Sequence, residues 1–218
     1  METFINTLNK NAFDNIDITG YNPDMHGWMD PDFKNIIYSI LNKKDKSEQL
    51  TIIEVGSWKG LSCITIANTV KNMGFQKVNI IAIDTWLGAP EFWTWGLNDP
   101  TRGESLKLTN GYPAVFNTFT KNVKYYGHND IITPFPISSI QAVDVLKYYN
   151  ITADMIYIDA AHEYKPVKED INAYWEILKN GGSMIGDDYM DGWPGVKQAV
   201  NEFGTPTVKG VVWNFNKV

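Results

Sequence analysis

Residues 153–189 read ADMIYIDAAHEYKPVKEDINAYWEILKNGGSMIGDDY. Met155 to Ile158 and Ser183 to Ile185 are apolar runs of strand length. Between them, from Pro166, Val167, Ile171, Tyr174, Trp175 and Leu178 recur at helical spacing, and Lys179 and Gly181 supply a stop. The unit is therefore βαβ, and its two strands must run parallel with their carboxyl ends on one edge of a sheet. Asp159 follows the first strand and Asp187 and Asp188 follow the second, so three carboxylates converge on the edge where open α/β sheets bind ligands. Asp170 falls on the helix face opposite the apolar stripe, which predicts a solvated side chain.

Upstream, Leu50 to Val55 forms a strand that runs into Gly56-Ser57-Trp58-Lys59-Gly60 and a helix from about Leu61. A glycine turn between strand and helix lets a ligand approach the backbone closely. A dinucleotide would require G-x-G-x-x-G, but Trp58 and Leu61 occupy the second and third glycine positions, which argues against an NAD-dependent oxidoreductase. Glu54 at the strand end repels phosphate and suits an ammonium group. The next strand, Val78 to Ile83, ends in Asp84, placed to accept hydrogen bonds from ribose hydroxyls or to cap a helix. A helix near 114–126 follows, then a third strand from Ile131 to Phe135, Ser138 and Ser139, and a further helix.

The flanks are less regular. Residues 1–48 read as an N-terminal arm and one helix that starts at Asp30-Pro31 with Asp30 as N-cap. His26 and Trp28 pin the arm or touch substrate. Residues 87–112 are too long for a simple connection, and their Phe92, Trp93, Trp95 and Tyr112 form either a lid or a satellite core. Trp193, before the last helix, is placed to wall an acceptor pocket. The end, from Thr207 to Val218, predicts an antiparallel hairpin turning near Gly210.

A chain of 218 residues with 44% hydrophobic content suits one domain spanning 1–218. Its net charge of −6, without a cluster of Lys and Arg, argues against nucleic acid. One cysteine, Cys63, makes no internal disulfide, and neither a membrane-length apolar run nor a signal peptide is visible, so a cytoplasmic protein is expected.

With these motifs in place, Glu54-Val-Gly56-Ser-Trp-Lys-Gly60-Leu-Ser62 resembles the first motif of class I S-adenosylmethionine-dependent methyltransferases. It is most similar to the branch containing catechol O-methyltransferase and the bacterial macrolide-sugar and aminocoumarin-sugar O-methyltransferases. The resemblance implies a Rossmann-like, doubly wound, mostly parallel seven-stranded sheet with a C-terminal antiparallel hairpin. It implies S-adenosylmethionine held by Glu54, Gly56, Ser57, Gly60 and Ser62 around its methionine part, Asp84 at the ribose, Trp86 over the adenine, and Ser138 and Ser139 beside it. It further implies Mg²⁺, or another hard divalent cation, bound by Asp159, Asp187 and Asp188, with a small hydroxylated acceptor chelating the same ion. His162 stands where the catechol enzyme has its lysine base. An imidazole takes a proton near neutral pH without special tuning, so His162 is the expected general base, with Glu163 as a substitute and helix capping as the plain alternative. A sugar or sugar-bearing metabolite is the favoured acceptor and a catechol the runner-up. Metal-independent transfer through His162 and a silent cofactor-binding domain stay open, as does a homo-oligomer.

Overall fold

The computed structural model describes residues 2–94 and 104–218. Seven strands form one sheet in the order β3-β2-β1-β4-β5-β7-β6. They are β1 Gln49–Val55, β2 Lys77–Asp84, β3 Ile132–Pro136, β4 Ala153–Ile158, β5 Leu178–Gly186, β6 Thr207–Lys209 and β7 Val212–Asn216. β1 to β5 pair parallel, β7 returns antiparallel to β5, and β6 pairs antiparallel to β7, as the expected hairpin. The chain winds outward from β1 to β3 and then restarts at β4 on the other side of β1. The gap between the β1 and β4 carboxyl ends is thus the topological switch point, where the two sets of loops part and leave a crevice.

Both faces of the sheet are covered, which is why its central strands are nearly continuous apolar runs. Ile52 and Ile80 point to the layer of helices α2 (Phe33–Leu41), α3 (Leu61–Asn72) and α5 (Val115–Tyr125), where Ile37, Ile64 and Phe119 are buried. Ile53, Ile81 and Ile156 point to the opposite layer, made by α1 (Glu2–Asn9), α6 (Ser139–Tyr148), α7 (Tyr164–Ile177) and α8 (Pro194–Phe203). A short helix α4, Pro90–Thr94, begins the insertion after β2. Trp95 lies outside the described residues. In the arm, α1 packs Phe4 edge-on to Phe135 at 5.5 Å and stacks it on Tyr149 at 4.3 Å.

Two local expectations are corrected. α2 starts at Phe33 rather than at Asp30-Pro31. Asp30 does not cap it in the expected way: one carboxylate oxygen accepts the Asp32 N–H at 2.8 Å and the other the Val211 N–H at 3.1 Å, tying the arm to the C-terminal hairpin. Asp170 is not solvated either, being only 1% exposed. α6 packs over this part of α7, and the Tyr174 hydroxyl, one helical turn on, donates to the Ser139 carbonyl at 2.8 Å.

Candidate active site

The loops at the switch point are hooked to neighbouring strand ends. Gly56 N–H donates to the Ile83 carbonyl at 2.8 Å, Asp159 N–H to Val55 at 2.8 Å, and Asp187 N–H to Ile158 at 3.2 Å. This draws the turn after β1 against the loop after β4. At Gly56, with φ +90°, a Cβ would lie 1.9 Å from the Asp159 carbonyl oxygen, so glycine is demanded here by the adjoining loop as well as by any ligand. Gly60, with φ +92°, ends the turn as the N-cap of α3 and packs on Phe119.

A cavity of about 660 Å³ occupies the crevice. Gly56, Ser57, Ser62, Asp84, Ser138 and Ser139 line one end, and Asp159, His162, Asp187 and Asp188 line the other. Glu54 and Gly60 stand behind the wall rather than in it. Glu54 is fully buried, and burial pushes its carboxyl up to about 7 against the pull of the Ser62 and Ser57 hydroxyls and the Cys63 thiol. Asp84 braces the turn: one oxygen accepts the Trp58 N–H at 2.8 Å and the other the Trp86 N–H at 2.7 Å. Burial raises the Asp84 carboxyl, and these backbone donors, with those of Ser57 and Thr85, oppose the rise. Trp86 is not in the cavity. At 2% exposure it is a core residue between Phe116 and Phe119, its indole N–H spent on the Trp58 carbonyl at 2.8 Å. The hydrogen bond and the β2–α5 packing turn the ring inward, so it cannot cover an adenine.

At the acidic end, the Tyr157 hydroxyl lies 3.1 Å from both Asp159 Oδ2 and Asp187 Oδ2. Asp187 Oδ1 accepts the Asp188 N–H at 2.8 Å, and Asp188 takes a left-handed backbone conformation, φ +63°. That kink brings the Asp188 carboxylate to His162 Nε2 at 3.0 Å, while His162 Nδ1 meets Glu91 Oε1 at 3.1 Å. The ring stacks on Trp193 at 4.1 Å. Burial alone would lower the imidazole, but its hydrogen bonds to Asp188 and Glu91, with the charges of Asp188 and Asp159, carry it up to about 10. So clamped, His162 is an imidazolium at neutral pH, and the expectation of an untuned base is corrected. Its Nε2 is freed only when Asp188 turns elsewhere.

Oxygen atoms of Asp159 and Asp188 and a ring nitrogen of His162 lie within 4.8 Å of one another, so the two carboxylates are close enough to share a cation. The donor set fits one, since carboxylate oxygens are hard ligands suited to a divalent cation; burial, with the charges of Asp187 and Asp188, holds the Asp159 carboxyl above its usual range. Asp187 lines the cavity beside this group, but its two oxygens meet the Tyr157 hydroxyl and the Asp188 N–H. Burial raises Asp187 to about 6.

Three contributors carried no clear sequence signal. Glu91 arrives on α4 from the insertion, Tyr157 reads as a core residue of β4, and Gly27 to Pro31 of the arm form part of the cavity wall. The arm is locked by Asp24, which binds Lys59 at 2.9 Å and Lys107 at 2.8 Å, while Asn122 donates to the Asp24 and Lys59 carbonyls at 2.7 and 2.8 Å. Although partial burial works against it, those lysines hold the Asp24 carboxyl down at about 2. Trp28, 53% exposed, and Phe92 belong to the same wall, with Phe92 4.4 Å from Trp58.

The strand order, the glycine turn and the acidic rim define a Rossmann-like methyltransferase fold. Solved structures share it. The O-methyltransferase from Bacillus cereus in complex with SAH is 12% identical, with 97% of this chain and 91% of that one covered at a TM-score of 0.58. The calicheamicin methyltransferase CalS11 is 15% identical, with 99% and 91% covered at 0.59, and the O-methyltransferase NovP 14% identical, with 100% and 99% covered at 0.55. A family model described as a methyltransferase domain matches residues 53–189, more than half of the chain, and the chain belongs to that family. An uncharacterized protein, R132, of Acanthamoeba polyphaga mimivirus is 26% identical over 170 residues, which cover 77% of this chain and 65% of that protein's length. Among the described residues no helix is long and apolar enough to cross a membrane.

Proposed function

We propose that the protein is an S-adenosylmethionine-dependent O-methyltransferase acting on a hydroxyl of a small molecule, a sugar or sugar-bearing metabolite, with divalent metal assistance. The observation that carries this reading is one cavity joining the glycine-turn end, with Asp84, Ser138 and Ser139, to the Asp159–His162–Asp188 cluster. Its volume lies inside the range of about 300–1,000 Å³ usual for small-ligand sites. Ser57 and Ser62 face the methionine part of the donor, with Glu54 behind them. Asp84 lines the same end of the cavity, where its carboxylate faces the ribose hydroxyls. Ser138 and Ser139 border the base.

Asp159 and Asp188 would hold the cation, with Asp187 behind them. A bound divalent ion such as Mg²⁺ supplies Lewis acidity, lowering the pKa of a coordinated hydroxyl and fixing its oxygen toward the methyl group. Glu91 anchors His162 at Nδ1, and Trp193 holds the plane of the ring, so Nε2 faces the acceptor. With Asp188 drawn from it, the ring would release its Nε2 proton to solvent, and the neutral imidazole then takes the hydroxyl proton as the oxygen–methyl bond forms and the methyl–sulfur bond breaks. Trp28, Phe92 and Trp193 shield this end from water and offer flat faces to a sugar ring.

A second reading, metal-independent transfer through His162, draws on the same clamp, because the imidazolium already supplies a positive charge to Asp188. Chelation separates the two: with metal assistance, EDTA abolishes methylation of hydroxylated sugars and Mg²⁺ restores it, whereas the second reading leaves the rate unchanged. Asp159→Ala is expected to remove activity and keep S-adenosylhomocysteine affinity. Absence of S-adenosylhomocysteine binding by calorimetry would remove both readings.

A further inference from the structure

Tyr157 belongs to a core strand, yet its ring ends in a buried hydroxyl that touches two carboxylates of the acidic rim. The side chain is fully buried and packs on Phe33, with ring centroids 4.8 Å apart. Its oxygen stands 3.1 Å from Asp159 Oδ2 and 3.1 Å from Asp187 Oδ2. A tyrosine hydroxyl has one proton, so a single donor serves two like-charged groups held close together.

The other atoms of Asp187 are already committed. Its Oδ1 takes the Asp188 N–H at 2.8 Å, and its carbonyl takes the Trp213 indole N–H at 3.2 Å. Asp187 is therefore a strut between strand β4 and the Asp188 kink, and Tyr157 is the fixed point to which the strut and Asp159 are both fastened. One Asp159 oxygen is spent on this contact and the other stays available to a ligand.

We infer that Tyr157 is a positioning residue of the cation site: its buried hydroxyl fixes the Asp159 carboxylate and, through Asp187, the kink that aims Asp188. This rests on the metal-assisted reading above. Outer partners of metal ligands are worth about 10–100-fold in metal affinity when removed, because an unheld ligand must be ordered at each binding event.

The test is a Mn²⁺ titration of the full chain, with the free ion followed by electron paramagnetic resonance. Wild type, Tyr157→Phe and Asp159→Asn are compared, and S-adenosylhomocysteine affinity is measured by calorimetry on each. Tyr157→Phe keeps ring and charge and removes only the hydroxyl, so Mn²⁺ affinity falls by about 10–100-fold while S-adenosylhomocysteine affinity is unchanged. Asp159→Asn loses more. Wild-type Mn²⁺ affinity in Tyr157→Phe would overturn the inference, and so would a parallel loss of S-adenosylhomocysteine affinity, which marks a general packing defect. A wild-type protein that binds S-adenosylhomocysteine but no Mn²⁺ would overturn the metal-assisted reading and the role of Tyr157 together.

Discussion

Asp170 offers the sharpest quantitative check on the packing of α6 against α7, the pair that carries Ser138 and Ser139 to the cavity. Burial pushes its carboxyl from the ordinary 3.8 up to about 6, with the Ser139 side chain pulling it down and the Glu169 charge adding to the rise. Two units correspond to about 3 kcal/mol at about 1.4 kcal/mol each, and no discount for solvent screening applies at 1% exposure. The unfolded chain releases this proton near 3.8 and the native chain near 6, so between those values the native state binds more protons. The contribution to stability is complete below the unfolded pKa and is lost as the pH rises through the folded one. Asp170→Asn keeps the shape, can donate to the Ser139 hydroxyl, and has no proton to lose. Relative to wild type it should therefore gain about 2.5 kcal/mol on going from about pH 4 to about pH 8, or roughly 5–10 °C in melting temperature. Urea unfolding of both proteins across that range reads the difference directly, and titrations common to the two cancel. A difference independent of pH would refute the reasoning, since it would mean that the carboxyl ionises as freely in the native state as in the unfolded one.

Gly56→Ala should cost at least about 2 kcal/mol, because it forces a side chain into the left-handed region and against the Asp159 carbonyl. Thermal melts and S-adenosylhomocysteine calorimetry should show the two losses together. Asp24→Asn leaves the buried Lys59 without its carboxylate and should cost about 1–3 kcal/mol by urea unfolding, with faster proteolysis of the arm. Trp193→Ala removes the surface stacked on His162 and should raise the acceptor KM by about 2- to 10-fold, leaving S-adenosylhomocysteine affinity unchanged.

Asp84, Asp159 and the Asp187 pair were legible because each closes an apolar run, and parallel pairing sends every such residue to the same edge. Glu91 was not, because nothing in Pro90-Glu91-Phe92 records that this turn folds back over His162. Trp86 and Asp170 misled for a related reason. An aromatic after a strand end and an aspartate off the apolar stripe look exposed until helices α5 and α6 are laid over them.

The order of residues by itself determined the alternation of strands and helices, the parallel sheet with its terminal hairpin, and the edge on which the acidic residues gather. Those follow from periodicity and strand direction, which are local properties of the chain. Only the tertiary structure decided which Asp188 atom meets His162, that Asp187 turns to Tyr157, and that the arm and insertion wall the cavity. Each of these depends on contacts between segments far apart along the chain, where the angle of a kink or the packing of one helix on another sets a side chain's direction.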